Sequence, residues 1–208
     1  MARHLAVRSV AAIAVVSLFF ATARPAVADT DPLAESYRLQ TKNDLAGALK
    51  AMRKAVAASP GSYFVNLRLA YLSTLTGDWA GALDGYHTAA DLAPAAIEPL
   101  LGEQLALVTL GRWDDAENIG KQILKADASN YLAGSRLAWT HYKKKDFQGA
   151  LALYAAVLAL YPGDIDMRNG LGWSLLALDR KKDAAAAFRE VLVMVPGQAN
   201  ATAGLAAL

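Results

Sequence analysis

Gly77-Asp78-Trp79-Ala80-Gly81-Ala82-Leu83 is the stretch on which the fold turns. Gly77 supplies the positive φ that ends one helix, and the residues from Trp79 onward start another. Ala82 heads the series Ala82, Tyr86, Ala89, spaced i, i+4, i+7 on one face of a 3.6-residue helix. Upstream, Tyr63 to Leu75 reads as a first helix, with Leu69-Ala70 as the facing pair. A large residue followed by a small one lets two helices approach closely. Downstream, the second helix runs from Trp79 to Leu92. Ala93-Pro94-Ala95 closes it, because proline cannot continue a helix.

The same unit recurs on a grid of 34 residues. Pro60, Pro94, Pro162 and Pro196 share one position, with Ala128 in the missing slot. Trp79, Trp113 and Phe147 share another, and Ala48, Ala82, Ala116, Ala150 and Ala184 a third. Five blocks result without any insertion: 29–62, 63–96, 97–130, 131–164 and 165–198. Ala150, Tyr154, Val157 and Ala184, Phe188, Val191 repeat the second-helix face, while Leu137-Ala138 and Leu171-Gly172 repeat the pair on the first helix. Gly111 matches Gly77. Asn43, Lys145 and Asp179 stand at the same place in blocks one, four and five, so those three turns are expected to differ in detail.

With its 34-residue period, its Leu-Ala or Leu-Gly pair, the Gly77–Leu83 stretch and the closing prolines, the chain resembles the tetratricopeptide repeat family over 29–198. The resemblance implies an all-α, right-handed α-solenoid of five helix-turn-helix repeats. Residues 199–208 would add a short C-terminal capping helix, which either packs tightly or meets a partner. Departures exist. Glu35-Ser36 and Glu103-Gln104 replace the Leu-Ala pair in blocks one and three, Gly120 replaces the aromatic residue in block three, and Lys181 stands in block five where the others carry Trp, Leu or Phe. An atypical first or last block suits a cap. In the central block, Glu103-Gln104 implies a local distortion or a polar contact in the core.

The first 28 residues have a separate character. Arg3 and Arg8 precede the uncharged apolar run Ser9 to Ala23, and Ala26-Val27-Ala28 gives a small-x-small end before Asp29. This is the pattern of a secretory leader cleaved between Ala28 and Asp29. An uncleaved anchor is the alternative, but the run of 15 residues is short of the roughly 20 needed to span a bilayer. Export, most simply to a bacterial periplasm, is the expected location. No stable membrane span is expected after cleavage, although peripheral association stays open.

Composition narrows the function. Hydrophobic residues make up 55% of the 208, charged residues 19%, and there is no cysteine. Disulfide scaffolds, Cys-ligated metals and thiol nucleophiles are thereby excluded. The formal net charge is +2, and the leader holds three Arg and no acid, leaving 18 basic against 19 acidic residues. A nucleic-acid partner is not expected from such a balance. No cofactor, metal site or enzymatic activity is expected either: His87 and His141 lie in different blocks with no carboxylate at ligand spacing, and there is no Gly-rich phosphate loop. His141 reads as a packing histidine, and Asp114-Asp115 as acids at a helix start. The runs Lys143-Lys144-Lys145 and Arg180-Lys181-Lys182 are either solvated turns or a positive rim.

The candidate binding residues lie on the face that repeat packing does not use. The ninth residues of the blocks are Tyr37, Tyr71, Leu105, Trp139 and Trp173. At about 100° per residue they lie far round the first helix from its partner-facing side. Leu33, Leu67 and Leu101 extend the stripe, Phe64 and Tyr142 flank it, and Arg68, Arg136 and Asn169 are the near polar residues. Either these rings pack sideways on neighbouring first helices, or they line an open groove. The second reading suits a protein or peptide ligand with apolar or aromatic side chains, and the family resemblance implies a scaffold in envelope assembly or secretion. A glycan or small molecule stacked on the rings is the alternative. Self-association through 199–208 is a third.

Overall fold

A computed structural model describes residues 31–208, which form eleven α-helices and no strand. The leader expected at 1–28, the cleavage expected between Ala28 and Asp29, and the first two residues of block one lie outside the described residues. First helices are α1 (Pro32–Thr41), α3 (Tyr63–Leu75), α5 (Ile97–Thr109), α7 (Tyr131–Lys143) and α9 (Ile165–Ala177). Second helices are α2 (Leu45–Ala58), α4 (Trp79–Leu92), α6 (Trp113–Ala126), α8 (Phe147–Leu160) and α10 (Lys181–Met194), and α11 (Ala199–Ala206) caps the end. The all-α repeat architecture expected from the sequence is the one found. α6 closes at Ala126 without a proline, so Ala128 does not lengthen it.

Each second helix starts in one of two ways. Asp44, Asp78 and Asp146 accept a hydrogen bond from the backbone N–H of Gly47, Gly81 and Gly149 at 2.8, 3.0 and 2.9 Å. A Cβ on Gly81 would lie 2.4 Å from the Asp78 carboxylate, so the cap and the glycine come as a pair. In blocks three and five an arginine replaces the aspartate and an aspartate replaces the glycine. Arg112 donates to Asp115 at 2.8 Å and Arg180 to Asp183 at 2.9 Å.

The turns inside the repeats correct one expectation. Asn43, Lys145 and Asp179 take φ of 60°, 65° and 58°, alongside 76° at Gly77 and 73° at Gly111. All five turns share the left-handed conformation, and the stacking geometry imposes it even on lysine.

The core is a ladder of small contacts. Ala48, Ala82, Ala116, Ala150 and Ala184 are all fully buried. Between blocks, the Tyr86 ring lies where a Cβ on Gly102 would sit (2.4 Å), and Tyr154 does the same to Gly170 (2.4 Å) and Phe188 to Gly204 (2.3 Å). The ring on one second helix thus needs a glycine on the next helix. Glu103-Gln104 does not distort α5. Gln104 occupies the space over Gly120 and donates to the Ala133 carbonyl at 3.3 Å, and Glu103 meets His87 at 3.1 Å. Of the two alternatives, the polar contact is the one formed.

Successive first helices touch one another, α3 with α5, α5 with α7 and α7 with α9, whereas successive second helices make no contact of that extent. The stack therefore bends toward the first helices, which line its inner side. α11 packs Ala201 and Gly204 against the Phe188 cluster, so the tight-packing alternative holds for its apolar face.

Candidate binding groove

The rows of side chains that leave the inner side of the first helices enclose two cavities. The first, about 410 Å³, lies along α1, α3, α5 and α7. Tyr37, Phe64, Leu67, Arg68, Tyr71, Leu105 and Arg136 all line it. The second, about 530 Å³, is walled by Trp139, Tyr142 and Trp173. Twelve of the thirteen sequence-predicted residues, Leu33 and Leu101 included, thus face one cavity or the other. The exception is Asn169, which is 1% exposed beneath the surface, with neither side-chain polar atom hydrogen-bonded. It is not available as a surface anchor.

Exposure decides between sideways packing and an open face for most of the stripe. Tyr37 is 54% exposed, Phe64 71%, Tyr71 42% and Trp139 44%. Trp173 differs. It is half-buried, its ring meets Phe188 edge-on at 5.4 Å, and its Nε1 donates to Asn200 Oδ1 at 2.6 Å. It is as much a core residue of the last block as a lining residue.

The two cavities have different chemistry. In the first, the Arg68 guanidinium sits 3.9 Å from the Tyr37 ring centroid and 5.6 Å from that of Tyr71, and its Nε donates to Ser36 Oγ at 3.2 Å. Arg136 donates to the Leu101 carbonyl at 2.8 Å, and burial holds its pKa below the usual arginine value. In the second, Trp139 and Tyr142 stack at 5.7 Å with an interplanar angle of 11°, and Lys143 lies over Trp139 at 5.4 Å. Burial pushes the Tyr154 hydroxyl, on the floor of this cavity, well above the usual tyrosine range.

Sequence reasoning missed Glu98 and Asp166, second residues of their blocks, which line the first and second cavities. Phe64 shares their position, so the same helical count could have found them. Asn200 comes from α11 and left no periodic signal.

Several other charged residues are already engaged. Lys144 bridges Asp114 and Glu117 at 2.6 Å each, and Lys181 donates to the Leu208 carbonyl oxygen at 2.8 Å. Lys121 and Lys144, with smaller help from His141, hold the Glu117 carboxyl down to about 2. His141 Nδ1 pairs with Asp146 at 2.7 Å, as a satisfied packing histidine would. Among the described residues there is no cluster able to hold a metal ion, and no helix long and apolar enough to cross a membrane.

No curated protein matches the sequence. The tetratricopeptide repeat family model matches residues 103–165 and 136–199. Among solved structures, YrrB, described as a TPR protein with an unusual peptide-binding site, superposes with a TM-score of 0.74 at 16% identity, over 83% of this chain and 89% of that one. MamA from Desulfovibrio magneticus gives 0.73 at 16% identity, over 79% and 93%. A tetratricopeptide repeat protein from Parabacteroides merdae gives 0.77 at 17% identity, over 84% and 70%. These likenesses and the family match agree with the helix pairs described above: residues 103–199 match the tetratricopeptide repeat, and the described residues have the solenoid fold of these structures.

Proposed function

We propose that the chain is an exported adaptor that holds a peptide segment of a partner protein in the groove along its first helices. The supporting observation is the exposed row Tyr37, Phe64, Tyr71 and Trp139 on the inner side of the bend, with about 410 and 530 Å³ of open cavity between the rings. Scattered single apolar residues need no explanation, but a contiguous aromatic row on a concave face is suited to capture side chains. The peptide-binding site attributed to YrrB, which shares the fold, is consistent with this use. The charged start, apolar run and Ala26-Val27-Ala28 support export, and with it a role in envelope assembly or secretion. The chain is an interaction module in this proposal, not an enzyme.

A displayed random-peptide library panned on residues 29–208 tests the proposal. Peptides with aromatic or aliphatic anchors should be enriched. The Trp139→Ala variant should lose about tenfold or more in affinity for them, as expected of a hot-spot residue, with its helical circular dichroism and melting temperature unchanged. Absence of enrichment, or equal binding by the variant, would refute it. Trp173→Ala is a poor probe, because loss of its contacts with Phe188 and Asn200 will lower stability as well. A glycan ligand would instead raise the melting temperature in a carbohydrate screen. Self-assembly through α11 has less to recommend it, since Ala201 and Gly204 are already covered.

A further inference from the structure

The two cavities are built on one plan, 68 residues apart. In each, a tyrosine ring of a second helix closes the floor against a glycine, Tyr86 against Gly102 and Tyr154 against Gly170. An acid stands four residues before that glycine, Glu98 in the first and Asp166 in the second. What differs is the charge brought to them. Arg68 and Arg136 both line the first cavity, and Arg136 reaches back to the Leu101 carbonyl of block three at 2.8 Å. Neither lines the second, although Arg136 holds there the block position that Arg68 holds in the first. Arg168, two residues beyond Asp166, pairs with Glu190 and donates to the Pro162 carbonyl at 2.6 Å. Among the residues that line the second cavity Asp166 alone is charged. It is exposed and forms no ion pair among the described residues.

An aromatic ring is negative over its face, so it attracts cations. Trp139 and Tyr142, stacked at 5.7 Å, form one wall of this cavity, and Trp173, fixed by its donation to Asn200 at 2.6 Å, supplies another. The protein already lays a cation on one of these rings: Lys143 Nζ lies 5.4 Å from the Trp139 centroid and 5.7 Å from that of Trp113. Since Trp113 belongs to block three, Lys143 occupies the side of Trp139 away from the cavity, which opens toward block five. Side chains on a helix lean toward its N-terminus, so Trp173 leans toward the end of α9 at which Asp166 stands. Burial keeps the Tyr154 phenol neutral. Ring faces and one unpaired carboxylate therefore give the second cavity a negative potential, in a space of about 530 Å³.

We propose that the second cavity takes a basic side chain, lysine or arginine, of the bound segment, with its aliphatic stem along the rings of Trp139, Tyr142 and Trp173 and its charge paired with Asp166. Lysine and arginine suit such a place because their stems cover apolar surface while the charged head stays at the wet rim, where Asp166 lies. The site deepens the peptide-groove reading and rests on it for its natural ligand. It makes a basic residue over the C-terminal blocks the distinguishing feature of the sequence bound.

Small probes test the site without any peptide. N-acetyl-lysine amide, N-acetylarginine amide, the uncharged N-acetylnorleucine amide and choline are titrated into ¹⁵N-labelled residues 29–208 while the indole Nε1–H signals are followed. The lysine or the arginine compound should shift the Trp139 and Trp173 signals at millimolar concentration and leave that of Trp79, on α4, in place. The norleucine compound should bind about fivefold more weakly, and so should the basic compounds to Asp166→Asn, the worth of a partly exposed charge contact. Asp166→Glu, which keeps the charge, should bind as the parent does and guards against a folding defect in the Asn variant. If norleucine and lysine compounds bind alike, the groove still accepts an apolar guest and only the cation site is lost. If the indole signals do not move, or Asp166→Asn binds the basic compounds as well as the parent does, the site is refuted while the peptide-library test stands on its own. Choline binding tighter than both basic compounds would overturn the side-chain assignment in favour of a quaternary ammonium solute.

Discussion

At three joints between successive blocks a second-helix ring lies over a glycine of the next helix: Tyr86 over Gly102, Tyr154 over Gly170, Phe188 over Gly204. At the other two joints the ring position holds Met52 or Gly120, and the glycine position holds Arg68 or Arg136. The ring joints are tightly filled. The arginine joints keep the 34-residue step with a flexible, charged side chain and carry that charge to the inner face. One packing problem has two solutions here, and only the second brings an arginine to the groove. The N-terminal cavity accordingly carries two arginines beside its aromatic rings, and the C-terminal cavity is lined by rings without an arginine.

The largest effect expected from this contrast is at Phe188, which is fully buried and touches both Gly172 and Gly204. Phe188→Ala should cost about 3–5 kcal/mol in urea unfolding, and a cost below about 1 kcal/mol would mean that the ring joints do not carry the stack. Gly170→Ala should follow at about 1–2 kcal/mol, the clash with the rigid Tyr154 ring outweighing the helix propensity of alanine. Gly120→Ala sharpens the comparison. Its nearest neighbour is the flexible end of Gln104, which can move aside, so its net effect should lie within about 0.5 kcal/mol of zero.

Glu117 gives a pH-dependent test. Its carboxyl is held down to about 2 in the fold, chiefly by the hydrogen bond from Lys121 and then by Lys144, against about 4.3 unfolded. A lowered folded value stabilises at pH above the unfolded value, and that contribution is lost as the pH falls toward 2. Glu117→Gln should therefore cost roughly 1 kcal/mol at pH 7, since its lysine partners are partly solvated, and nothing near pH 2. Smallest of all, Lys145→Gly should raise stability by about 0.5 kcal/mol by relieving a left-handed lysine, whereas Asn43→Gly, at a residue that tolerates this conformation, should be neutral. Thermal melts resolve both.

The repeat, the helix limits and the inner face were legible because each rests on spacing, which five copies restate. The turns at Asn43, Lys145 and Asp179 were misjudged because residue preference argued against a conformation that the common hairpin geometry enforces. Asn169 and Trp173 share a helix face with Leu67 and Tyr71, yet one is buried and the other half covered by α11. A helical count treats each helix alone and does not contain the distance to its neighbours. The arginine joints were visible only as two residues 68 apart. The seats of their guanidiniums, on Ser36 and on the Leu101 carbonyl, could not be seen without the packing.

Photo-crosslinking of display-selected peptides tests the central claim most directly, with benzoylphenylalanine placed either at Tyr71 in the groove or at Thr88, exposed on α4. The account expects crosslinks from position 71 and none from position 88. Crosslinks from 88 alone, or equal yields from both positions, would contradict it.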